Sequence, residues 1–107
     1  MNPKKILCIC NGGNVRSAAL ARHIRDLNGI FADFKSDSSA IKYEAVAIGK
    51  SYMTPESMKY FKKWADLIID LSDDGEYSIG KDIWCNPTHP ELIKKIEELW
   101  KSVEEVL

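Results

Sequence analysis

Lys5-Ile6-Leu7-Cys8-Ile9-Cys10-Asn11-Gly12-Gly13-Asn14-Val15-Arg16-Ser17 runs from an apolar segment of strand length, through two glycines, into a helical pattern. Lys5 to Ile9, bounded by Pro3 and the glycines, suits a central parallel strand buried on both faces. Ser17 to Asn28 then places Leu20, Ile24 and Leu27 on one helical face, and Gly29 supplies the C-terminal stop. A strand-to-helix turn with glycines can point its backbone N–H groups inward. A bound phosphate or a thiolate gains from those donors and from the helix N-terminus.

Within this turn Cys10 is followed six residues later by Arg16. A nucleophilic cysteine has to be ionised near neutral pH, and an amide cradle beside a guanidinium favours the thiolate. Arg16 can also grip two phosphoryl oxygens through its planar fork. The segment therefore reads as a phosphate-binding loop with a nucleophile at its floor. Cys8, two residues back, has Asn14 in the corresponding place and reads as strand core. His23 lies more than a helical turn beyond the loop and reads as a surface or half-buried residue.

CNGGNVRS, preceded by KILCI and followed by AALARHI, resembles the CxxxxxRS signature of the low-molecular-weight protein tyrosine phosphatase family. The resemblance implies that Cys10 is the nucleophile of a phosphocysteine intermediate, Arg16 the phosphate clamp and Ser17 the hydroxyl that supports the thiolate. Asn11, Gly12, Gly13, Asn14 and Val15 would then bind the substrate phosphate. No cofactor or metal is implied. Gly13 stands where the family commonly has asparagine, and glycine tolerates the same positive φ. The family's Asp-Pro pair, which supplies the general acid, corresponds best to Asn86-Pro87, and an amide cannot protonate a leaving group. Asp82 and His89 are the nearby substitutes.

The remaining elements follow from local signals. Ile30 to Lys35 reads as a second strand, leading into the polar loop Ser36-Asp37-Ser38-Ser39 beside the phosphate site. Ile41 to Ile48 can form a short helix ended by Gly49. Thr54, Pro55 and Glu56 form an N-cap, a first-turn proline and an acidic first turn, opening a helix that runs to about Trp64. Asp66 to Leu71 reads as a third strand and Lys81 to Cys85 as a fourth, at the sheet edge. Leu92, Ile93, Ile96, Leu99, Trp100, Val103 and Val106 form the apolar stripe of a C-terminal helix. The pattern GxxxxGK over Gly75 to Lys81 fails as a nucleotide loop, because Asp82 stands at the magnesium-binding Ser/Thr position and no helix follows.

Strand and helix alternation predicts a single α/β domain over residues 1–107, a three-layer sandwich with a four-stranded parallel sheet and helices on both faces. A net charge of −1 from 15 basic and 16 acidic residues provides no bulk field for nucleic acid or an anionic membrane. No apolar run reaches the roughly 18 residues a membrane span needs. Three cysteines without disulfide spacing agree with a reducing, cytoplasmic setting. Cys85 and His89 alone would make only half a zinc site.

The expected activity is hydrolysis of a phosphomonoester, phosphotyrosine by resemblance, on a phosphorylated protein or small molecule. Three alternatives stand beside it. Arsenate reductases with this kind of loop pass electrons to further cysteines, for which Cys85 and Cys8 are available. A phosphocarrier resembling the IIB proteins of sugar phosphotransferase systems would also use a cysteine after the first strand, but those carriers usually lack the arginine. A relative without its acid could hold phosphorylated partners with little or no turnover.

Overall fold

The computed structural model describes residues 4–27, 43–79 and 86–107. Strand β1 (Lys4–Cys10) leads into helix α1 (Arg16–Asp26); strand β2 (Tyr43–Gly49) continues through a 3-10 turn (Lys50–Tyr52) to helix α2 (Pro55–Trp64). Strand β3 (Leu67–Asp70) and helix α3 (Pro90–Glu104) complete the described elements. The three strands form a parallel sheet in the order β2-β1-β3.

The central place of β1 follows from its composition, because Ile6 to Cys10 are buried without interruption. Successive side chains of a strand point to opposite faces. Ile6, Cys8 and Cys10 join a cluster with Leu20 and Ile24 of α1 and Leu92, Ile96, Trp100 and Val103 of α3. Leu7 and Ile9 join a second cluster with Ile48, Met58, Phe61 and Ile68. Burying each such Leu or Ile contributes about 1.5–3 kcal/mol, so these interfaces dominate the stability. The ring of Tyr43 meets Trp100 edge to face, with centroids 5.2 Å apart.

Helix α2 begins as its sequence predicts: the Thr54 hydroxyl accepts the Ser57 N–H at 3.1 Å and Pro55 takes the first helical position. Helix α3 buries Leu92, Ile96, Trp100 and Val103 of the expected stripe, while Ile93 and Val106 are exposed. Helix α1 is shorter than expected, and Leu27 is an exposed C-cap residue rather than part of the core.

The sheet departs from expectation at one segment. Tyr43–Gly49 is a strand, not a helix over Ile41 to Ile48. Alanine and glutamate favour a helix locally, but β1 offers a partner along its whole length, from Lys4 opposite Tyr43 to Cys10 opposite Gly49. Ladder hydrogen bonds and burial of Ala45 and Ile48 outweigh the intrinsic preference of so short a run. Three strands are described rather than four. The expected strands at 30–35 and 81–85, the loop Ser36–Ser39, Asp82 and Cys85 lie outside the described residues.

The register also places the strand ends together. Cys10 pairs with Gly49, and Ile9 with Asp70, so the carboxyl ends of all three strands meet at one edge. Among the described residues no helix is long and apolar enough to cross a membrane.

Candidate active site

Cys10 closes β1 and is fully buried. The chain then bends through Asn11 to Val15 and enters α1 at Arg16. Gly13 makes the bend possible, with φ of +76°. A Cβ there would also lie 2.6 Å from the Gly49 nitrogen and 2.9 Å from the Ile48 carbonyl carbon, so a side chain is excluded twice over. Gly49 reciprocates, since a Cβ on it would lie 2.5 Å from the Gly12 carbonyl. Ser51 N–H donates to the Asn11 carbonyl at 3.0 Å and fastens the end of β2 to the loop.

Two hydrogen-bonded groups form around this bend. In the first, the Gly13 N–H donates to Cys10 Sγ at 3.1 Å, and the Cys10 thiol donates to Ser17 Oγ at 3.2 Å. Ser17 is fully buried beside it. Val15 gives α1 no side-chain cap, so the first N–H groups of that helix are left for something other than a capping side chain. An anionic sulfur or an oxyanion at this place would draw on both the loop amide and the helix terminus.

The second group surrounds Arg16, whose side chain is only 1% exposed. It donates to the Leu71 carbonyl at 3.1 Å, to Asp73 Oδ1 at 3.0 Å and to Asn11 Oδ1 at 3.4 Å. The same Asn11 oxygen accepts the Asp73 N–H at 3.2 Å. The turn after β3 is thereby tied to the loop after β1. Val15 packs into the core, and Asn14 is exposed.

Compared with known proteins, the chain matches no family model, no curated protein and no solved structure.

A third cluster borders the first two. Lys50 Nζ lies 2.9 Å from Asp70 Oδ2 and 3.2 Å from Asp74 Oδ1, and it donates to Ser72 Oγ at 2.9 Å. Hydrogen bonding to Asp70 raises the Lys50 ammonium above its ordinary value. Burial pushes the Asp70 carboxyl up, but hydrogen bonds from Ser72 and Lys50 outweigh it, and the net shift is downward. Asp74 is lowered by its hydrogen bond with Lys50 and then by Ser72. Lys50, Asp70, Ser72, Asp73 and Asp74 were not among the residues singled out from the sequence. The available signal was the third predicted strand, because ligands in such sheets sit beyond strand carboxyl ends. Among the described residues, the loops found there are 50–53 and 72–75.

The candidates near the end of the chain have structural duties. Asn86 Oδ1 accepts the Thr88 N–H at 2.8 Å and the Thr88 hydroxyl at 2.6 Å. His89 is the N-cap of α3, its Nδ1 accepting the Glu91 N–H at 3.2 Å. Pro87 and Thr88 line a cleft of about 370 Å³ against Ala19, Arg22, His23 and Asp26 on the flank of α1. Cys8 is fully buried, and burial pushes its thiol up to about 12, which makes it a core residue. Among the described residues no group of three or more His, Cys, Asp or Glu is arranged to hold a metal ion.

Proposed function

We propose that the chain is a cysteine-dependent phosphomonoester hydrolase of the low-molecular-weight phosphatase type, acting on phosphotyrosine or another aryl phosphate. The observation that carries the reading is the contact set on one sulfur: Cys10 Sγ takes the Gly13 N–H and faces Ser17 Oγ at the uncapped start of α1. The fold belongs to the same reading: a three-layer sandwich with a four-stranded parallel sheet. So does the setting: free Cys8 and Cys10 support work in a reducing compartment such as the cytoplasm.

In the first step the Cys10 thiolate attacks phosphorus, an S–P bond forms, and the P–O bond to the leaving group breaks. Arg16 and the loop amides stabilise the charge on the non-bridging oxygens. Water then attacks phosphorus, the S–P bond breaks with its electron pair returning to Cys10, and inorganic phosphate leaves. Ser17 turns its hydroxyl hydrogen toward the sulfur whenever that sulfur is anionic. Asn86 offers no proton to the departing oxygen. An aryl oxide leaves with little assistance, whereas an alkyl oxide needs the roughly 10²–10⁴-fold that a general acid contributes.

Release of phosphate from p-nitrophenyl phosphate and from a phosphotyrosine peptide tests the proposal, with Cys10→Ser and Arg16→Ala beside the wild type. The expected result is turnover by the wild type and loss of it in both variants. Equal rates in all three proteins would remove the hydrolase reading.

A second reading, a phosphate-holding relative without turnover, is favoured by the engagement of Asn86 Oδ1 in its own turn. It predicts saturable phosphopeptide binding that requires Arg16, with no phosphate released. The thiol redox alternative gains nothing from Cys8, whose raised, buried thiol is a poor partner for exchange. The fully buried Arg16 weighs against a carrier that must release its phosphoryl group easily.

A further inference from the structure

The hydrolase mechanism makes no use of Asp73, yet its carboxylate takes one arm, Nη1, of the residue that should hold phosphate. Asp73 Oδ1 is 3.0 Å from Arg16 Nη1, the separation at which a phosphoryl oxygen would bind a guanidinium. Arg16 is almost completely enclosed, while the Asp73 side chain is 47% exposed. A buried guanidinium needs an anionic partner, because leaving its charge alone inside the protein is strongly unfavourable. A half-exposed carboxylate has no such need, since water can solvate it.

The backbone beneath Asp73 is anchored independently of that carboxylate. Gly75 N–H donates to the Ser72 carbonyl at 2.9 Å, Ser72 N–H to Asp70 Oδ1 at 3.0 Å, and Asp73 N–H to Asn11 Oδ1 at 3.2 Å. Gly75 is pressed against Asp70, since a Cβ there would lie 2.4 Å from the Asp70 carbonyl oxygen. Rotation of the Asp73 side chain alone can therefore withdraw the carboxylate from Arg16 Nη1 while the turn, and the bonds of Arg16 to Leu71 and Asn11, stay in place. The neighbouring cation is neutralised in the same way, with Lys50 held by Asp70 and Asp74.

We propose that Asp73 is a built-in competitor for the phosphate seat: its carboxylate keeps Arg16 paired in the resting protein, and the substrate's phosphoryl group has to displace it. The inference rests on the phosphate-binding reading of the Cys10 loop. It deepens that reading by naming the charge state the seat prefers, because the displaced carboxylate carries one negative charge. A phosphomonoester dianion offers Arg16 more than it gives up; a phosphodiester monoanion does not. Asp73 thus acts through Arg16 as a positioning residue that favours dianions.

Titration calorimetry with inorganic phosphate near pH 8, where the dianion dominates, tests this on the wild type, Asp73→Asn, Asp73→Ala and Arg16→Ala. Removing the competing charge should tighten phosphate binding about fivefold to tenfold, the scale of one partly exposed charged contact. Asparagine keeps an acceptor for Arg16 and should give the smaller gain. With p-nitrophenyl phosphate the change should fall on KM rather than kcat. Phosphate binding that depends on Arg16 but is unchanged or weaker in both Asp73 variants would overturn the inference and leave the phosphate-binding reading standing. Binding that is equal in the wild type and Arg16→Ala would overturn both.

Discussion

The N-termini of α1 and α3 are built on opposite plans. At α3 the polar groups close on one another within a few residues: His89 caps Glu91, and Asn86 takes both the N–H and the hydroxyl of Thr88. At α1 the N-cap Val15 gives no side-chain cap, and a loop amide, that of Gly13, is turned onto a thiol. Its charged neighbour finds partners far along the chain, with Arg16 bonded to Leu71 and Asp73 at separations of 55 and 57 residues. A terminus that only has to start a helix is completed locally. A terminus left open and framed by distant strands is suited to receive a ligand.

The most damaging way to break this contrast is to give Gly13 a side chain. Gly13→Ala forces a left-handed residue to carry a Cβ 2.6 Å from the backbone nitrogen of Gly49. The expected loss is about 2–4 kcal/mol by urea unfolding, with phosphate binding abolished because the loop cannot close on Cys10. Gly12→Ala is the control. No atom lies within 4 Å of the added Cβ, so its loss should stay below about 1 kcal/mol. Equal losses at the two glycines would mean that the Gly13–Gly49 crossing does not shape the loop.

The other side of the contrast is tested at Asn86 and His89. Asn86→Ala and His89→Ala should each cost about 1 kcal/mol, the size of a lost cap, with p-nitrophenyl phosphate turnover retained. Asn86→Asp preserves the acceptor in the turn, so stability should hold. The rate on an alkyl phosphate should not rise, because the new carboxylate is engaged with Thr88 as the amide oxygen is now. A rise of a hundredfold or more, read as phosphate release from a serine phosphopeptide, would show that the α3 turn carries chemistry after all.

The same contrast explains what could be read from the sequence. Thr54 and Pro55 announce α2 within four residues, a continuous apolar run announces β1, and apolar positions at helical spacing announce α1 and α3, because each of these signals is local. Tyr43–Gly49 is misread as helix because the deciding partner is β1, whose pairing is invisible in the segment itself. Cys10, Gly13 and Ser17 lie close in sequence and are brought together in space. Asp73 and Lys50 reach the site only through the register of three strands, and no spacing rule within a single segment encodes that register. His89 carries a double meaning, since an imidazole nitrogen can serve as a proton carrier or as a helix cap.

The smallest effect sharpens the contrast at the edge of the open terminus, where Lys50 is balanced by Asp70 and Asp74 rather than by neighbours in sequence. Asp70 and Asp74 are lowered from the ordinary 3.8, so their contribution to stability is present above that pH and is lost as the pH falls through their depressed values. Lys50 is raised from the ordinary 10.5, so its contribution is present below that pH and is lost as the pH rises through the raised value. Lys50→Met should reduce both losses, leaving the part of the acid limb that Ser72 maintains on the two carboxylates. Lys50 is 38% exposed, so water screens the cluster and the change near neutral pH should not exceed about 1 kcal/mol in urea unfolding. An acid limb identical in the variant and the wild type would mean that the ammonium does not hold these carboxylates in solution. The long-range balance around the α1 terminus would then shrink to the Arg16 group alone.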